Sequence, residues 1–233
     1  MVNILISGYY GFDNIGDESI LRTLVSSLRE HIPDCSLTVL SHNPASTREK
    51  YGVEAVDRMS PMAILRAVKK CDMLISGGGS LLQDVTSSKS LHYYLSIIRC
   101  AEFFHKKVFI YSQGIGPIDR PGNRRAAAAA LKKADGIVVR DERSAALLEE
   151  IGIARDKVVI TADPVIRMKK PDGDVGAEIL QKAGVSLGGR LTVGWAIRER
   201  DTDSRFVKEL LRSIRMMKDK YNAQSVLIPF HYE

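Results

Sequence analysis

The stretch "ILISGYYGFDNIGDESIL", from Ile4 to Leu21, predicts a strand, a glycine-containing turn and a helix. A short apolar run ends in glycines, aromatics and acids, and a helix-like pattern follows it. Gly11 and Gly16 allow the backbone to turn tightly, and a helix starting beside them points its N–H groups and positive dipole end at the loop. The glycine spacing is not that of the dinucleotide fingerprint, and the Walker lysine is absent. The segment therefore predicts a place where an anionic ligand group lies without a lysine.

The same alternation of short β-rich runs and longer helical stretches continues along the chain and predicts a parallel α/β sheet. Continuous apolar runs such as "VFIYS" and "GIVV" are typical of strands covered on both faces. The predicted strands are Asn3–Ser7, Ser36–Ser41, Met73–Ser76, Lys107–Ser112, Gly136–Val139 and Val158–Thr161. The predicted helices are Asp17–His31, Ala45–Tyr51, Pro61–Lys70, Ser90–Phe104, Asn123–Ala134 and Asp141–Ile151.

The composition of the chain changes after Pro164 and predicts three parts. Residues 1–165 form a Rossmann-like domain, and residues 166–189, rich in glycine and mixed charge, form a linker with one short helix. Residues 190–233 begin a second Rossmann-like domain with a strand–helix–strand unit. Because one such unit cannot bury both of its faces, we expect this second domain to be truncated.

Bulk composition is that of an ordinary globular protein, with 45% hydrophobic and 27% charged residues. Three widely spaced cysteines predict reduced thiols rather than a disulfide framework or a zinc site. The apolar run at the amino terminus is too short for a signal peptide. Charged residues interrupt the most apolar later segment, which argues against a membrane span. We therefore expect a cytoplasmic protein. The net charge of +6 with only 6% aromatic residues makes nucleic acid a poor candidate partner. Small anions, peripheral association with the inner face of the cell membrane, and a merely solvated surface remain open.

The first glycine loop carries a candidate acid or base. Asp13 lies within the turn beside other acids, where we expect reduced access to solvent, which suits proton transfer. Asp17 suits the N-cap of the following helix. The alternative is that Asp13 and Asn14 are turn-forming residues with no chemical role.

Three more strand ends carry residues suited to ligand binding. The run "DMLISGGGSLLQD" has three consecutive glycines, which form an anion-binding nest or a tight packing corner. Gln113 and Gly114 follow the strand in "VFIYSQGIGPI", and Arg140 follows that in "GIVVRDERSAALL", where its guanidinium suits a carboxylate or phosphate. Because the carboxyl ends of parallel strands meet at one edge, we expect a shared cleft and no metal site. The candidate catalytic residues are Asp13 and Arg140, and the candidate binding residues are Gly11, Asn14, Gly16, Gly77, Gly78, Gly79, Gln113, Gly114, Arg198 and His231.

Six stretches occur in an order typical of one family: "GYYGFDNIGDESIL", "GGGSLLQD", "YSQGIGP", "VRDERSAALLEEIGI", "TADPV" and "LIPFHYE". On these the chain resembles the polysaccharide pyruvyl transferase family, most closely the CsaB type, which pyruvylates secondary cell-wall polymer for S-layer anchoring. The resemblance implies a GT-B-like fold of two Rossmann-like domains. Because the distal half of the second domain is not present in the sequence, we expect this 233-residue form to be inactive.

The resemblance also implies a reaction and its partners. Phosphoenolpyruvate is the donor substrate, with no further cofactor, and a lipid-linked saccharide is the acceptor. In the CsaB type the acceptor is an N-acetylmannosamine that receives a 4,6-ketal while phosphate is released. For this reaction we hypothesise that Asp13 transfers a proton, that Arg140 binds the donor's anionic groups, and that Gly77–Gly79 and Gln113 contact the substrate in the cleft. The alternatives are a GT-B nucleotide-sugar glycosyltransferase and a non-catalytic sugar- or anion-binding module.

Overall fold

The computed structural model describes residues 1–170, 173–197 and 204–229. The chain divides into two compact units, Met1–Met168 and Lys169–Glu233. The boundaries predicted from composition, at 165 and 189, stay a prediction.

The first unit is built on one parallel sheet. Its strands are β1 (Val2–Tyr10), β2 (Cys35–Ser41), β3 (Glu54–Asp57), β4 (Met73–Gly77), β5 (Lys107–Gln113), β6 (Gly136–Val139) and β7 (Val158–Ile160). They lie in the order β3-β2-β1-β4-β5-β6-β7, and every pairing is parallel. This order reverses between β1 and β4, so the loops after these two neighbouring strands flank a crevice.

Helices cover the sheet on both faces. They are α1 (Ile15–His31), α2 (Pro44–Tyr51), α3 (Pro61–Lys70), α4 (Ser88–Phe103), α5 (Pro121–Leu131) and α6 (Glu142–Glu150), with 3-10 helices at Arg155–Lys157 and Pro164–Arg167. In β1, Ile4 and Ile6 pack with α1 residues such as Leu24, whereas Leu5 belongs to a separate cluster with α4 residues such as Leu91. Each such buried aliphatic side chain contributes roughly 1.5–3 kcal/mol relative to an exposed one.

Two local expectations are wrong. The sequence reading lacks β3, because "EAVD" is short and only Ala55 of its four side chains is buried. The cap of α1 is Asn14, not Asp17: the Asn14 side chain accepts hydrogen bonds from the amides of Gly16 and Asp17 at 3.0 and 3.2 Å. The helix therefore begins at Ile15, and Asp17 lies in its first turn, where a carboxylate favours the dipole.

The second unit contains α7 (Gly173–Lys182), β8 (Thr192–Ile197), α8 (Ser204–Tyr221) and β9 (Gln224–Pro229). β8 and β9 pair in parallel, which is the strand–helix–strand unit that the sequence predicts. No helix in the described ranges is long and apolar enough to cross a membrane.

Candidate functional site

Three consecutive glycines after β4 form a packed corner at the crevice. We call Gly77–Gly79 the glycine corner. The buried Tyr10 hydroxyl donates to the main-chain oxygen of Gly77 at 2.7 Å. A Cβ on Gly78, whose φ is +95°, would lie 2.7 Å from that hydroxyl oxygen, and a Cβ on Gly79 would lie 2.6 Å from a carboxylate oxygen of Asp17. The corner therefore requires glycine, and it brings the β4 loop into contact with β1 and α1.

The loop after β1 is fixed from two sides. The amide of Gly11 donates to Glu18 Oε1 at 2.8 Å, and the Tyr51 hydroxyl donates to the other oxygen of the same carboxylate. Burial, followed by this hydrogen bond, raises the pKa of Tyr51 well above its usual value. Both oxygens of the Glu18 carboxylate thus accept hydrogen bonds that hold the loop in place.

Asp13 lies at the exposed rim of this loop. Its carboxylate is 63% exposed and lies 2.7 Å from the Lys50 ammonium of α2. The reduced solvent access expected for Asp13 is therefore wrong, because the turn directs the side chain outward toward α2. The hydrogen bond with Asp13 raises the pKa of Lys50. Asp13 also has a φ of +55°, a backbone conformation that costs a residue other than glycine free energy and often occurs at functional sites.

Arg140 lies on the other side of the glycine corner. Its Nη2 donates to Ser80 Oγ at 2.9 Å and its Nη1 to Asp163 Oδ2 at 3.1 Å. The amide of Gly114 donates to the oxygen of Gly79 at 3.1 Å. A Cβ on Gly114 would lie 2.8 Å from two guanidinium nitrogens of Arg140, so glycine leaves the space that the guanidinium occupies.

A capping carboxylate also lies near this guanidinium. Asp141 Oδ2 is 3.8 Å from Arg140 Nε, and Asp141 accepts hydrogen bonds from the amide and hydroxyl of Ser144 at 2.8 Å each. Although partial burial alone would raise it, these bonds and the adjacent arginine hold the pKa of Asp141 below its usual value. Asp141 is therefore a charged partner of Arg140 at neutral pH.

Gln113 lies beneath the crevice rather than at its surface. It is fully buried, and its Nε2 donates to the main-chain oxygen of Ser76 at 2.7 Å and to Ser76 Oγ at 2.9 Å. Its Oε1 is buried without a hydrogen-bond partner among the described residues. Gln113 thus joins β5 to β4 directly under the glycine corner.

The candidate residues therefore form two groups that meet at the glycine corner. Gly11, Asn14, Gly16 and Asp13 lie on the β1 side, and Gly114 and Arg140 on the β5–β6 side. The ends of β1 and β6 are three strand spacings apart, roughly 14 Å at about 4.8 Å each. Arg198 and His231 lie outside the described residues. Within the described ranges no three His, Cys, Asp or Glu side chains lie close enough together to hold a metal ion.

Sequence reasoning missed Arg58, which follows β3. Although charged, Arg58 is only 7% exposed. Its Nη1 donates to the main-chain oxygen of Gly8 at 3.0 Å and its Nη2 to the Tyr94 hydroxyl at 3.2 Å. The sequence could have indicated Arg58 because it directly follows a strand, as Arg140 does, but β3 itself is not predicted from the sequence.

A cavity of about 530 Å³ lies at the opposite edge of the sheet. Its lining includes Asn3, Ser36, Arg66 and Cys71, which lie at the amino ends of strands or on α3. Ligands of open parallel sheets bind at the carboxyl edge, where the glycine loops and Arg140 lie. We therefore assign the candidate site to the carboxyl edge.

Solved structures of other proteins share this fold. The Anabaena protein HepE in complex with UDP-glucose has a TM-score of 0.59 and 12% identity, over 100% of this chain and 70% of that one. UDP-GlcNAc 2-epimerase from Neisseria meningitidis has a TM-score of 0.63 and 14% identity, over 98% and 66%. A glycosyltransferase from Rickettsia africae has a TM-score of 0.57 and 11% identity, over 98% and 68%. The α/β, GT-B-like fold class expected from the sequence is confirmed.

Sequence comparison narrows this class to one family. The amylovoran biosynthesis protein AmsJ of Erwinia amylovora is 22% identical over 239 residues, which cover 85% of this chain and 57% of AmsJ. The chain thus spans little more than half the length of this curated relative. The family model described as polysaccharide pyruvyl transferase matches residues 14–233. The chain belongs to the polysaccharide pyruvyl transferase family.

Proposed function

We propose that the protein is a pyruvyl transferase that moves the pyruvyl group of phosphoenolpyruvate to a saccharide as a ketal, with release of phosphate. The family match over residues 14–233 carries this proposal, since it includes the glycine corner, Gln113 and Arg140. The name of AmsJ, a protein of amylovoran biosynthesis, supports a polysaccharide acceptor. We further propose an N-acetylmannosamine of a lipid-linked cell-wall precursor as acceptor, as in the CsaB type, reached at the cytoplasmic face of the membrane.

The Arg140 side of the crevice suits the donor. Phosphoenolpyruvate carries a carboxylate and a phosphate, and both favour charge-assisted hydrogen bonds from a guanidinium. Arginine has five N–H groups, and in the described part of the chain Asp163 and Ser80 accept from two of them. The glycine corner lies beside them and lets main-chain groups approach the same anion.

In the proposed reaction two saccharide hydroxyls form bonds to C2 of phosphoenolpyruvate, and phosphate is the leaving group. A proton adds to the methylene carbon, and C2 of the enol becomes electrophilic. One saccharide hydroxyl forms a bond to C2, phosphate leaves with the electron pair of its C2–O bond, and the second hydroxyl closes the ketal. Of the two hydroxyl protons, one is accounted for by the new methyl group and the other by hydrogen phosphate. Asp13, an exposed carboxylate beside Lys50, is assigned the proton transfer at the acceptor.

Kinetics of the full natural chain test the proposal. We expect phosphate release that requires both phosphoenolpyruvate and a saccharide with free 4- and 6-hydroxyls. Arg140→Ala should raise the KM for phosphoenolpyruvate about tenfold or more, as expected for a lost charged hydrogen bond. Asp13→Asn should lower kcat. The matched control is Arg143→Ala, an exposed arginine on α6, which should leave both constants unchanged.

Other outcomes contradict the proposal. Near-native turnover in both variants would remove Asp13 and Arg140 from the mechanism. Release of a nucleoside diphosphate from a UDP-sugar would favour a glycosyltransferase, the second candidate, which the likeness to UDP-glucose-bound HepE favours. Saccharide binding without any turnover would indicate a binding module.

A further inference from the structure

Three aromatic rings form a continuous stack at the carboxyl edge of the sheet. Tyr9 and Phe12 have ring centroids 4.0 Å apart with planes 6° from parallel, and Phe12 and His42 have centroids 4.4 Å apart with planes 4° from parallel. Tyr9 is in β1, Phe12 is in the following loop, and His42 directly follows β2. We call these three rings the aromatic stack. Neither the sequence motifs nor the proposed chemistry gives it a role.

The buried guanidinium of Arg58 holds the stack in place. Arg58 Cζ lies 5.7 Å from the Tyr9 centroid and 5.2 Å from that of Phe12, and on the α4 side 4.8 and 5.5 Å from those of Tyr93 and Tyr94. Because Arg58 Cζ is almost equally far from the two parallel rings, the guanidinium lies beside the stack and not on the outer face of Tyr9. Because Arg58 also donates to the oxygen of Gly8, the same side chain fixes the strand end that carries Tyr9.

The stack is partly open to solvent next to the proposed acceptor side. Tyr9 is 38% exposed, and His42 at the other end is also exposed. Tyr9 belongs to β1, the neighbour of β4, whereas His42 follows β2 on the far side of β1. Tyr9 is therefore the end of the stack nearer the crevice. Asp13, with its exposed carboxylate, directly follows Phe12.

We propose that the Tyr9 ring, backed by Phe12 and His42, is the platform on which the pyranose ring of the acceptor saccharide lies. This inference rests on the proposed function, since it assigns the acceptor of that same site. One face of a β-pyranose presents axial C–H groups and is apolar, so it packs on an aromatic ring while the hydroxyls at its rim stay available for hydrogen bonds. A rigid stack positions that ring without ordering a mobile side chain on binding. The ring hydroxyls then lie toward Asp13.

Acceptor binding and steady-state kinetics of the full natural chain test this platform. The probes are methyl β-glycosides of N-acetylmannosamine, galactose and glucose, each with free 4- and 6-hydroxyls. Saturation-transfer NMR should show the strongest transfer to the C–H protons of one face, H1, H3 and H5. Tyr9→Ala and Tyr9→Leu should weaken acceptor binding, or raise its KM, by about tenfold, and leave the KM for phosphoenolpyruvate within twofold.

Two controls separate stacking from general damage. Tyr9→Phe keeps the ring and should bind the saccharide within about twofold of the wild type. Phe103→Ala removes an aromatic ring that is 76% exposed at the end of α4, away from the crevice, and should change nothing. Far-UV circular dichroism of each variant checks that its secondary structure is that of the wild type.

The outcomes separate this inference from the proposed function. If the wild type releases phosphate but Tyr9→Ala and Tyr9→Leu leave the acceptor KM unchanged, the platform alone is overturned. A loss shared by both substrates' KM values would also overturn it, as would Tyr9→Phe weakening binding as much as Tyr9→Leu. Saccharide binding that depends on the Tyr9 ring without phosphoenolpyruvate turnover would support the platform and contradict the pyruvyl transfer.

Discussion

Replacing Asp84 with asparagine should destabilise the first unit although Asp84 lies outside the proposed reaction. Asp84 is in the stretch "GGGSLLQD", which follows the glycine corner, and it is only 8% exposed. Its Oδ1 accepts from the Asp119 amide at 3.0 Å, and its Oδ2 accepts from the Arg120 amide at 3.1 Å and from Asn123 Nδ2 at 2.8 Å. One carboxylate thus joins the β4 loop to the start of α5.

The size of the effect follows from these three bonds. An asparagine oxygen placed at the Oδ2 position keeps at most two of them, and the new NH₂ group faces the Asp119 amide, donor against donor. A hydrogen bond to a charged group is worth about 1.5–3 kcal/mol net, and the remaining bonds lose their charge assistance. We expect Asp84→Asn to lower the free energy of unfolding by about 2–4 kcal/mol. With an m-value of roughly 2 kcal/mol/M, the urea midpoint should fall by about 1–2 M.

The pH dependence gives a second check on the same carboxylate. Burial alone would raise the pKa of Asp84, but the hydrogen bonds from Asp119, Asn123 and Arg120 hold it below its usual value. A group whose pKa is lower in the folded state stabilises above its unfolded pKa, about 3.9, and that contribution is lost as the pH falls through the folded pKa. The difference in the free energy of unfolding between the wild type and Asp84→Asn should therefore be constant from pH 7 to pH 5 and shrink below about pH 4.

Urea unfolding followed by far-UV circular dichroism measures both effects. The matched control is Asp119→Asn, the same substitution at an exposed carboxylate in the adjoining loop, which should stay within about 0.5 kcal/mol of the wild type. The reasoning is refuted if Asp84→Asn is as stable as Asp119→Asn at pH 7, or if the difference between the wild type and Asp84→Asn widens in acid.

Three further experiments test the packing of the first unit. Gly79 has a φ of +57°, and a new Cβ would lie 2.6 Å from a carboxylate oxygen, so Gly79→Ala should lower the free energy of unfolding in urea by about 2 kcal/mol. The control Gly122→Ala, in a helix with open space around it, should be neutral or slightly stabilising. Equal effects of the two substitutions would contradict the steric argument. Tyr10→Phe deletes a buried hydrogen bond to a main-chain carbonyl and should cost about 1–2 kcal/mol, and a shift in midpoint within error would show that this bond contributes nothing. Burial raises the pKa of Cys71 to about 11, so at pH 8 iodoacetamide should alkylate it far more slowly in native than in urea-unfolded protein, as peptide mass spectrometry would show, and equal rates would exclude a buried thiol.

The parallel sheet was predictable because its signal is local. Strands buried on both faces, such as β5 in "VFIYS", read as continuous apolar runs, and each is followed by a helical stretch. β3 lacks that signal, because "EAVD" has only two apolar residues. It becomes a strand by pairing with β2, from which it is separated in sequence by α2. The N-cap of α1, predicted at Asp17, also depends on backbone geometry. Asn14, expected only as a turn residue, has the extended backbone of an N-cap, and its side chain accepts from the amides of Gly16 and Asp17.

The site was predictable where chemistry follows directly from a strand end, and not where it depends on contacts between distant segments. Arg140 could be placed at the carboxyl edge because it follows a buried strand, yet its pairing with Ser80 and Asp163 depends on how three loops meet. Asp13 could be assigned to the turn, but the direction of its side chain toward Lys50 depends on α2, 37 residues away in sequence.

Arg58 shows the same limit most clearly. Its place after a strand has a local signal, but its burial near four aromatic rings has none. Its ring partners come from β1, the following loop and α4, and each segment alone reads as ordinary core or turn. A buried guanidinium costs free energy unless its surroundings compensate it. Hydrogen bonds to Gly8 and Tyr94 satisfy two of its nitrogens, whereas Nε is buried without a hydrogen-bond partner among the described residues. Those compensating contacts are also what hold Tyr9 at the rim of the crevice. The position of the Tyr9 ring, on which the proposed saccharide platform rests, therefore depends on contacts between distant segments, whereas the residues of the proposed donor side follow strand ends that are visible in the sequence.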